Sequence, residues 1–287
     1  MSAATMATAD RTPGTRVPTT IVHRVSVPRV ISSEWIKLRS LRSTWWTLAL
    51  TVVVMAGIST LVAWGSSQGL DGEGPATMSV VTLITAGRGM AELTVAVLGV
   101  LLITGEYTTG QIRSSFAAVP ARLSVLGAKA LVLGAVVAVA SVVGMGLAYL
   151  TTMPWHDRLD ATLDLGDGET VRILTGLPLY LIGVALLALA IGALLRRTAG
   201  AMASVLGLLL VVETVFALVP LRFFELVSPF LPATAGQRLL MDADTMALLD
   251  ATRDAAHLTP WQGYGVMLAW VAVLGAAAAV LLRRRDA

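Results

Sequence analysis

The chain has 287 residues, of which 56% are hydrophobic and 14% are charged, and its mean hydropathy is +0.78. Soluble domains carry roughly 25% charged residues, so this composition is typical of a protein embedded in a lipid bilayer. The formal net charge is +3 and cysteine is absent, which excludes disulfide bonds, thiolate metal sites and cysteine nucleophiles.

Residues 1–29 are predicted to form a disordered cytoplasmic tail. The segment is rich in Thr, Pro, Ala and Arg, and it lacks the apolar core of a secretory signal peptide. The rest of the chain shows no internal repeat and no soluble domain with a core of its own. Residues 30–287 are therefore predicted to form one membrane domain.

An amphipathic interfacial helix is predicted just before the first apolar run, in ISSEWIKLRSLRSTWW. Its apolar residues recur at helical spacing along one face: Ile31, Trp35, Leu38 and Trp45. We expect Ser33 to cap this helix, and Glu34 suits the positive end of its dipole. Lys37 and Arg39 would face anionic lipid headgroups. The alternative is a helix that merely anchors the first span.

Six segments have the length and apolarity to cross the bilayer, because a helix needs about 20 apolar residues to span roughly 30 Å of hydrocarbon. They are residues 45–64, 76–104, 130–152, 173–195, 198–219 and 261–282. In the second segment the charge-free part, residues 93–104, is short, so the helix must continue back through Glu92 and Arg88 to about Ala76. The sequence thus predicts an all-α membrane protein with six transmembrane helices.

The charges between the spans predict the orientation. Six spans place both termini on one side, and the connectors of that side hold most of the lysines and arginines. Since cytoplasmic loops are enriched in Lys and Arg, both termini are predicted to lie in the cytoplasm, with the protein in the cell membrane. The opposite connectors hold most of the acidic residues.

Residues 220–260, between the fifth and sixth spans, form the longest outward-facing connector. Its apolar residues are interrupted by Pro229, Pro232 and Gly236, which argues against a seventh span. Short helices that rest on or dip into the outer leaflet and a folded external loop are both compatible with this pattern.

The connector between the second and third spans, GEYTTGQIRSSFAAVPARLSVLGAKA, is longer than a turn requires. Ile112, Phe116 and Val119 form one apolar face of a predicted short helix, which Pro120 ends and which Thr108 or Thr109 would cap. Its polar face is suited to docking another protein. Glu106 stands among many cations, so we expect it to have a charged partner, although a simple surface acid is the alternative.

Three segments, SEWIKLRSLRSTWW, VLGVLLITGEYTTGQIRSSFAAVPARLSVLGAKA and SPFLPATAGQRLL, resemble the membrane subunit of type-2 ABC transporters of the kind found in actinobacteria. The resemblance implies an exporter permease that works as a dimer, with a second permease subunit, on two cytoplasmic ATP-binding subunits. It also implies that the helix before the first span and a coupling helix between the second and third spans grip the ATPase. The residues that this assigns to the coupling interface are Glu34, Lys37, Arg39, Glu106, Tyr107, Gly110, Gln111, Arg113 and Phe116.

Three ionisable residues, Arg88, Glu92 and Glu213, fall within predicted spans. A charge at membrane depth is costly unless it is paired or hydrated, which makes it a candidate functional residue. Helical rise places all three at similar height in the outer half of the bilayer. We expect them to lie together on an inward surface, where they either line a transport path or lock two helices together.

The leading functional hypothesis is therefore a permease without an ATPase site, since no G-x-x-x-x-G-K-[ST] phosphate loop occurs. A non-transporting membrane scaffold that anchors a cytoplasmic partner and a proton-coupled carrier are the alternatives. An intramembrane enzyme is disfavoured because the span serines have no histidine at matching depth. No cofactor, metal or nucleic acid is expected, membrane lipid is an expected partner, and the substrate stays open.

Overall fold

The structure, a computed structural model of the chain, describes residues 26–68, 79–111, 122–252 and 256–285. Every regular element in these ranges is helical. The helices are α1 Val27–Ser40, α2 Arg42–Gln68, α3 Val80–Thr85, α4 Arg88–Thr109, α5 Arg122–Thr152, α6 Gly168–Leu195, α7 Thr198–Leu206, α8 Glu213–Leu218, α9 Arg222–Val227, α10 Pro232–Gln237, α11 Ala243–Thr252 and α12 Pro260–Arg285. A π-helical segment, Gly207–Val212, joins α7 to α8 without a break.

The predicted set of six spans is confirmed by the helices of the described residues. Six stretches are long and apolar enough to cross a membrane, so the chain is a multi-pass membrane protein. They are Arg42–Gln68, Val80–Thr109, Leu123–Trp155, Gly168–Leu195, Thr198–Leu218 and Pro260–Leu282.

The second span is interrupted, whereas the sequence pattern predicted one helix reaching back to about Ala76. α3 ends at Thr85 and α4 begins at Arg88, with a turn at Ala86 and Gly87 between them. Gly87 lies against α2 so closely that a Cβ there would come within 2.4 Å of the Met55 carbonyl oxygen. The turn thus lets the chain pack tightly on α2, and residues 69–78 lie outside the described residues.

α6 is the central helix of the bundle and contacts α4, α5, α7 and α12. In its most apolar stretch 72% of the residues are buried, compared with 22% for the span from Thr198 to Leu218 and 17% for α12. Gly99 of α4 lies directly against the Ala185 carbonyl of α6. Small residues at this contact let the two backbones approach closely, as in other membrane helix pairs.

α1 differs from the predicted interfacial helix in its limits and its buried face. It begins at Val27, where Pro28 occupies the first turn. The expectation that Ser33 caps the helix is wrong, because its hydroxyl donates to the Val30 carbonyl within α1. The buried residues are Val30, Glu34 and Leu38, and Trp45 of the predicted apolar stripe belongs to α2.

The segment between the fifth and sixth spans enters the bundle instead of lying on its surface. Residues 228–240 are largely buried and pack between α6 and α12. Gly236 lies against Tyr180 and Met267, and Gly263 lies against the Ala235 carbonyl. Since Met267 is seven residues inside α12, this segment reaches about 10 Å along that helix.

Candidate functional site

Four charged side chains from three helices meet at the end of the bundle where α1 lies. We call Glu34 and Lys37 of α1, Glu106 of α4 and Lys129 of α5 the Glu–Lys cluster. The Lys129 ammonium donates to Glu34 Oε2 at 2.6 Å and to Glu106 Oε1 at 2.9 Å. Lys37 donates to Glu34 Oε1 at 2.6 Å and lies 3.5 Å from Glu106 Oε1.

The Glu–Lys cluster is buried and electrically neutral. The side chains of Lys129 and Glu34 are only 2% and 3% exposed, and that of Glu106 is 9% exposed. Burying these charges carries a large desolvation cost, which is offset only when each ion has well-placed opposite partners. Two acids and two bases in alternating contact largely meet that condition, and among the described residues Glu106 Oε2 is the one carboxylate oxygen of the cluster that is buried without a hydrogen-bond partner. The cluster thus fixes α1 against the ends of α4 and α5.

The ion pairs of the cluster shift the pKa values of Glu34 and Lys37 away from their ordinary values. Burial acts to raise the pKa of Glu34, but the pairing with Lys129 and Lys37 outweighs it and holds that pKa below its ordinary value. Burial acts to lower the pKa of Lys37, and its contacts with Glu34 and Glu106 outweigh this and raise it. Both residues therefore stay charged across the neutral range.

The structure places the predicted coupling residues in three different settings. Glu34 and Glu106 are buried in the Glu–Lys cluster, so their carboxylates are not part of the exposed surface that a partner could contact. Arg39, Gly110 and Gln111 are exposed. The remaining members are Lys37, which is partly exposed, Tyr107, which is half-buried, and Arg113 and Phe116, which lie outside the described residues.

The connector after the second span is shorter than predicted. α4 continues to Thr109 and ends at Gly110, whose φ of 73° is the left-handed conformation of a helix C-cap. Thr108 and Thr109 lie inside α4 and donate to the carbonyls of Thr104 and Gly105, so the prediction that one of them caps a following helix is wrong. The predicted helix bearing Ile112, Phe116 and Val119 lies outside the described residues.

A second contact at this end joins the termini of other spans. The Arg196 guanidinium lies 5.2 Å from the centre of the Tyr107 ring and donates to the Leu281 carbonyl at 3.5 Å. Arg196 itself adopts a left-handed φ of 58° at the end of α6. The last turn of α4, the α6–α7 connector and the end of α12 therefore meet on the same side as α1.

Farther along the bundle, Glu92 and Glu213 line one open cleft of about 320 Å³. Leu209 and Leu210 of the π-helical segment also line it. Arg88 lies one turn before Glu92, and within the described ranges no ion pair joins it to either carboxylate. The structure thus brings the two acids together at one cleft, with the arginine one helical turn from Glu92.

The Glu213 carboxylate has a structural role that the sequence pattern did not reveal. Its Oε1 accepts from the Ala233 backbone N–H at 2.6 Å, and its Oε2 accepts from the backbone N–H and the hydroxyl of Thr234. These groups form the first turn of α10. Glu213 therefore holds the inserted segment to the fifth span, which supports locking over lining for this residue.

Several residues at these sites were missed by sequence reasoning. Lys129 was assigned to a loop, yet it is the centre of the Glu–Lys cluster. Tyr180 is fully buried and accepts from Gln237 at 3.2 Å beside Glu92. One sequence signal was present, since the chain has only two lysines, Lys37 and Lys129, and both belong to the cluster.

No model of a protein family matches this chain, and no curated protein matches it. Its function is therefore inferred from its own residues and their geometry.

Proposed function

We propose that the chain is the transmembrane permease subunit of an ATP-driven ABC exporter in the cell membrane. It would move a substrate outward with ATP hydrolysed by a separate cytoplasmic subunit, two copies of which would bind a dimer of permease subunits. The three sequence segments that resemble type-2 ABC permeases support this assignment, and six apolar spans agree with it.

The observation that carries the proposal is the Glu–Lys cluster. A partner can transmit force into a membrane bundle only through a surface that does not deform under load. Lys129 joins α5 to α1 through Glu34 and to α4 through Glu106 by two hydrogen-bonded ion pairs. Lys37 of α1 also lies 3.5 Å from Glu106 of α4. A push on the exposed residues 108–111 would therefore move α1, the second span and the third span together.

The same geometry supports the proposed sidedness. α1, the ends of α4 and α12, and the α6–α7 connector lie at one end of the bundle, and the arginines of these segments make that end basic. Because basic connectors are retained in the cytoplasm, this end would face the ATP-binding subunit. The permease itself would perform no bond chemistry.

The proposal is tested with purified components in lipid vesicles. We would reconstitute the chain with each ATP-binding subunit encoded beside it and measure ATP hydrolysis together with efflux of candidate compounds. The expected result is a partner whose ATPase rate rises with the chain present, and efflux that stops when that partner is replaced by a hydrolysis-dead form.

A pair of matched variants locates the docking surface. Thr109→Trp places a large side chain on the exposed end of α4, and Thr162→Trp places the same side chain on the exposed opposite connector. We expect the first variant alone to abolish the ATPase stimulation. Binding of a partner without any transport would favour the scaffold alternative, and failure of every ATP-binding subunit to bind would refute the proposal.

A further inference from the structure

An apolar groove of about 470 Å³ opens on the surface of the bundle between α1, α2 and α5. All twelve side chains that line it are apolar, among them Trp35 of α1, Trp45 of α2 and Val139 of α5. Its α1 wall is formed by Trp35 and Leu38, and no member of the Glu–Lys cluster lines it. Its α2 and α5 walls both run away from the α1 end.

The length of the groove corresponds to one leaflet of a bilayer. Its α2 wall extends from Trp45 to Val53 and its α5 wall from Ala135 to Val143, which is about 12 Å in each helix. Half of a roughly 30 Å hydrocarbon core is about 15 Å. The groove is thus long enough to hold most of the part of an acyl chain that lies in one leaflet.

In the part of the chain that the structure describes, the helices that form the groove carry exposed positive charge and no exposed negative charge. Arg39 and Arg42 are exposed beside Trp35 and Trp45, and among the described residues neither guanidinium has a hydrogen bond or ion pair. The Trp45 indole is held in place by its hydrogen bond to the Arg39 carbonyl at 3.0 Å. α2 and α5 contain no acidic residue.

We propose that this groove is a specific binding site for one anionic phospholipid. An acyl chain would occupy the apolar walls, and the phosphate and anionic headgroup would bind Arg39 and Arg42. Tryptophans at headgroup level are typical of such membrane interfaces, and basic residues near the surface select anionic lipid.

Charge favours lipid over a second copy of the chain as the occupant. In a contact between two copies through this groove, Arg39 and Arg42 of one copy would meet α1, α2 and α5 of the other. The one acid of these three helices, Glu34, is already buried in ion pairs. A lipid phosphate supplies the missing negative charge. The bound lipid would lie against Trp35 and Leu38 of α1 and so brace the same helix that the Glu–Lys cluster holds.

The test is native mass spectrometry of the full chain, purified in detergent and incubated with phosphatidylglycerol or with phosphatidylcholine. We expect one molecule of phosphatidylglycerol to be retained in preference to phosphatidylcholine. Arg39→Gln and Arg42→Gln should each lower the preference about fivefold. Arg29→Gln, on the same helix but remote from the groove, should leave it unchanged.

Groove-filling variants test the apolar half of the site. Val139→Trp, and independently Ala135→Phe, should lower retention of both lipids, whereas Val142→Trp, on an exposed neighbouring position of α5 outside the groove, should not. Equal retention of the two lipids by the unaltered chain would overturn the proposal. So would unchanged retention by folded Val139→Trp, or efficient disulfide formation between two copies of Val139→Cys.

Discussion

At the residue scale, the choice of lysine in the Glu–Lys cluster has a physical reason. Apart from its two lysines and three histidines, the basic residues of the chain are all arginine, whose planar guanidinium needs a wide, fork-shaped set of acceptors. The ammonium of Lys129 is compact, and it donates to two carboxylates that approach within 2.9 Å. A guanidinium is larger and planar and cannot reproduce this pair of contacts from a single nitrogen atom, so lysine and arginine are not equivalent there.

Replacing Lys129 with Met should strongly destabilise the protein. The change leaves Glu34 buried with only Lys37 and leaves Glu106 with its distant contact to Lys37. Removing one partner of a buried ion pair typically costs about 3–5 kcal/mol. Thermal unfolding in detergent should show a large fall for Lys129→Met, a smaller fall for Lys129→Arg and no change for the exposed Arg29→Met.

A double substitution separates lost pairing from lost packing. Glu34→Gln combined with Lys129→Met removes one buried charge of each sign, so the double variant should be less destabilised than the sum of the two single variants. Strict additivity of the two effects would show that the Glu34–Lys129 contact contributes no coupling.

The Glu–Lys cluster should also set how stability depends on pH. The pKa of Glu34 is lower in the folded chain than its ordinary value of 4.5, so its contribution is present above pH 4.5 and is lost as the pH falls through the folded value. The pKa of Lys37 is raised above 10.5, so its contribution is lost only as the pH rises beyond that value. Thermal unfolding measured from pH 3 to pH 9 should show a loss of stability at acid pH, and Glu34→Gln should make this loss smaller. An unchanged loss of stability at acid pH in that variant would contradict this role.

At the element scale, the sequence predicted the spans well because about 20 apolar residues suffice to define each one. The prediction that Glu106 has a charged partner is confirmed by its contact with Lys129. The sequence did not identify that partner or the rest of the cluster, since Glu34 and Lys129 are separated by 95 positions and no periodicity connects them. The sequence pattern also predicted the wrong buried face for α1. Trp35 is apolar and is suited to contact with the membrane, whereas the side chain buried inside the protein is that of Glu34. The hydrogen bonds from the first turn of α10 to Glu213 likewise depend on a tertiary contact.

The contact between α4 and α6 should be sensitive to one methyl group. A Cβ at Gly99 would lie 2.4 Å from the Ala185 carbonyl oxygen, whereas a Cβ at Gly105 of the same helix meets nothing within 4 Å. Gly99→Ala should therefore destabilise by about 1–3 kcal/mol, and Gly105→Ala should be neutral or stabilising by up to about 1 kcal/mol. Thermal unfolding of the two variants should differ in sign, and equal effects would show that the helices are not in tight contact.

The inserted segment should depend on Glu213. Glu213→Ala removes the acceptor of two backbone N–H groups and one hydroxyl at the start of α10, and each buried donor left unpaired costs about 1–3 kcal/mol. Protease accessibility of residues 228–240 should rise in this variant, less in Glu213→Gln, and not in Glu225→Ala. Normal protection of the segment with loss of transport in Glu213→Gln would instead assign this residue to a transport path.

At the scale of the whole molecule, the bundle has two chemically different ends. The α1 end collects the Glu–Lys cluster, Arg196 and the exposed arginines of α1, while the other end holds the acidic connector of residues 156–167 and the inserted segment. The contacts between helices show which elements lie at the same end of the bundle. The distribution of basic residues predicts which side of the membrane each end faces.

The absence of cysteine makes that sidedness directly measurable, because a single introduced cysteine is the only thiol in the chain. Ser32→Cys in α1, Ala199→Cys at the start of α7 and Thr162→Cys in the opposite connector all fall at exposed positions. With a membrane-impermeant maleimide, we expect Thr162→Cys to be labelled in intact cells, and the other two to be labelled only after the membrane is opened. Labelling of Ser32→Cys in intact cells would place the Glu–Lys cluster outside the cell, where no ATP-binding subunit can reach it.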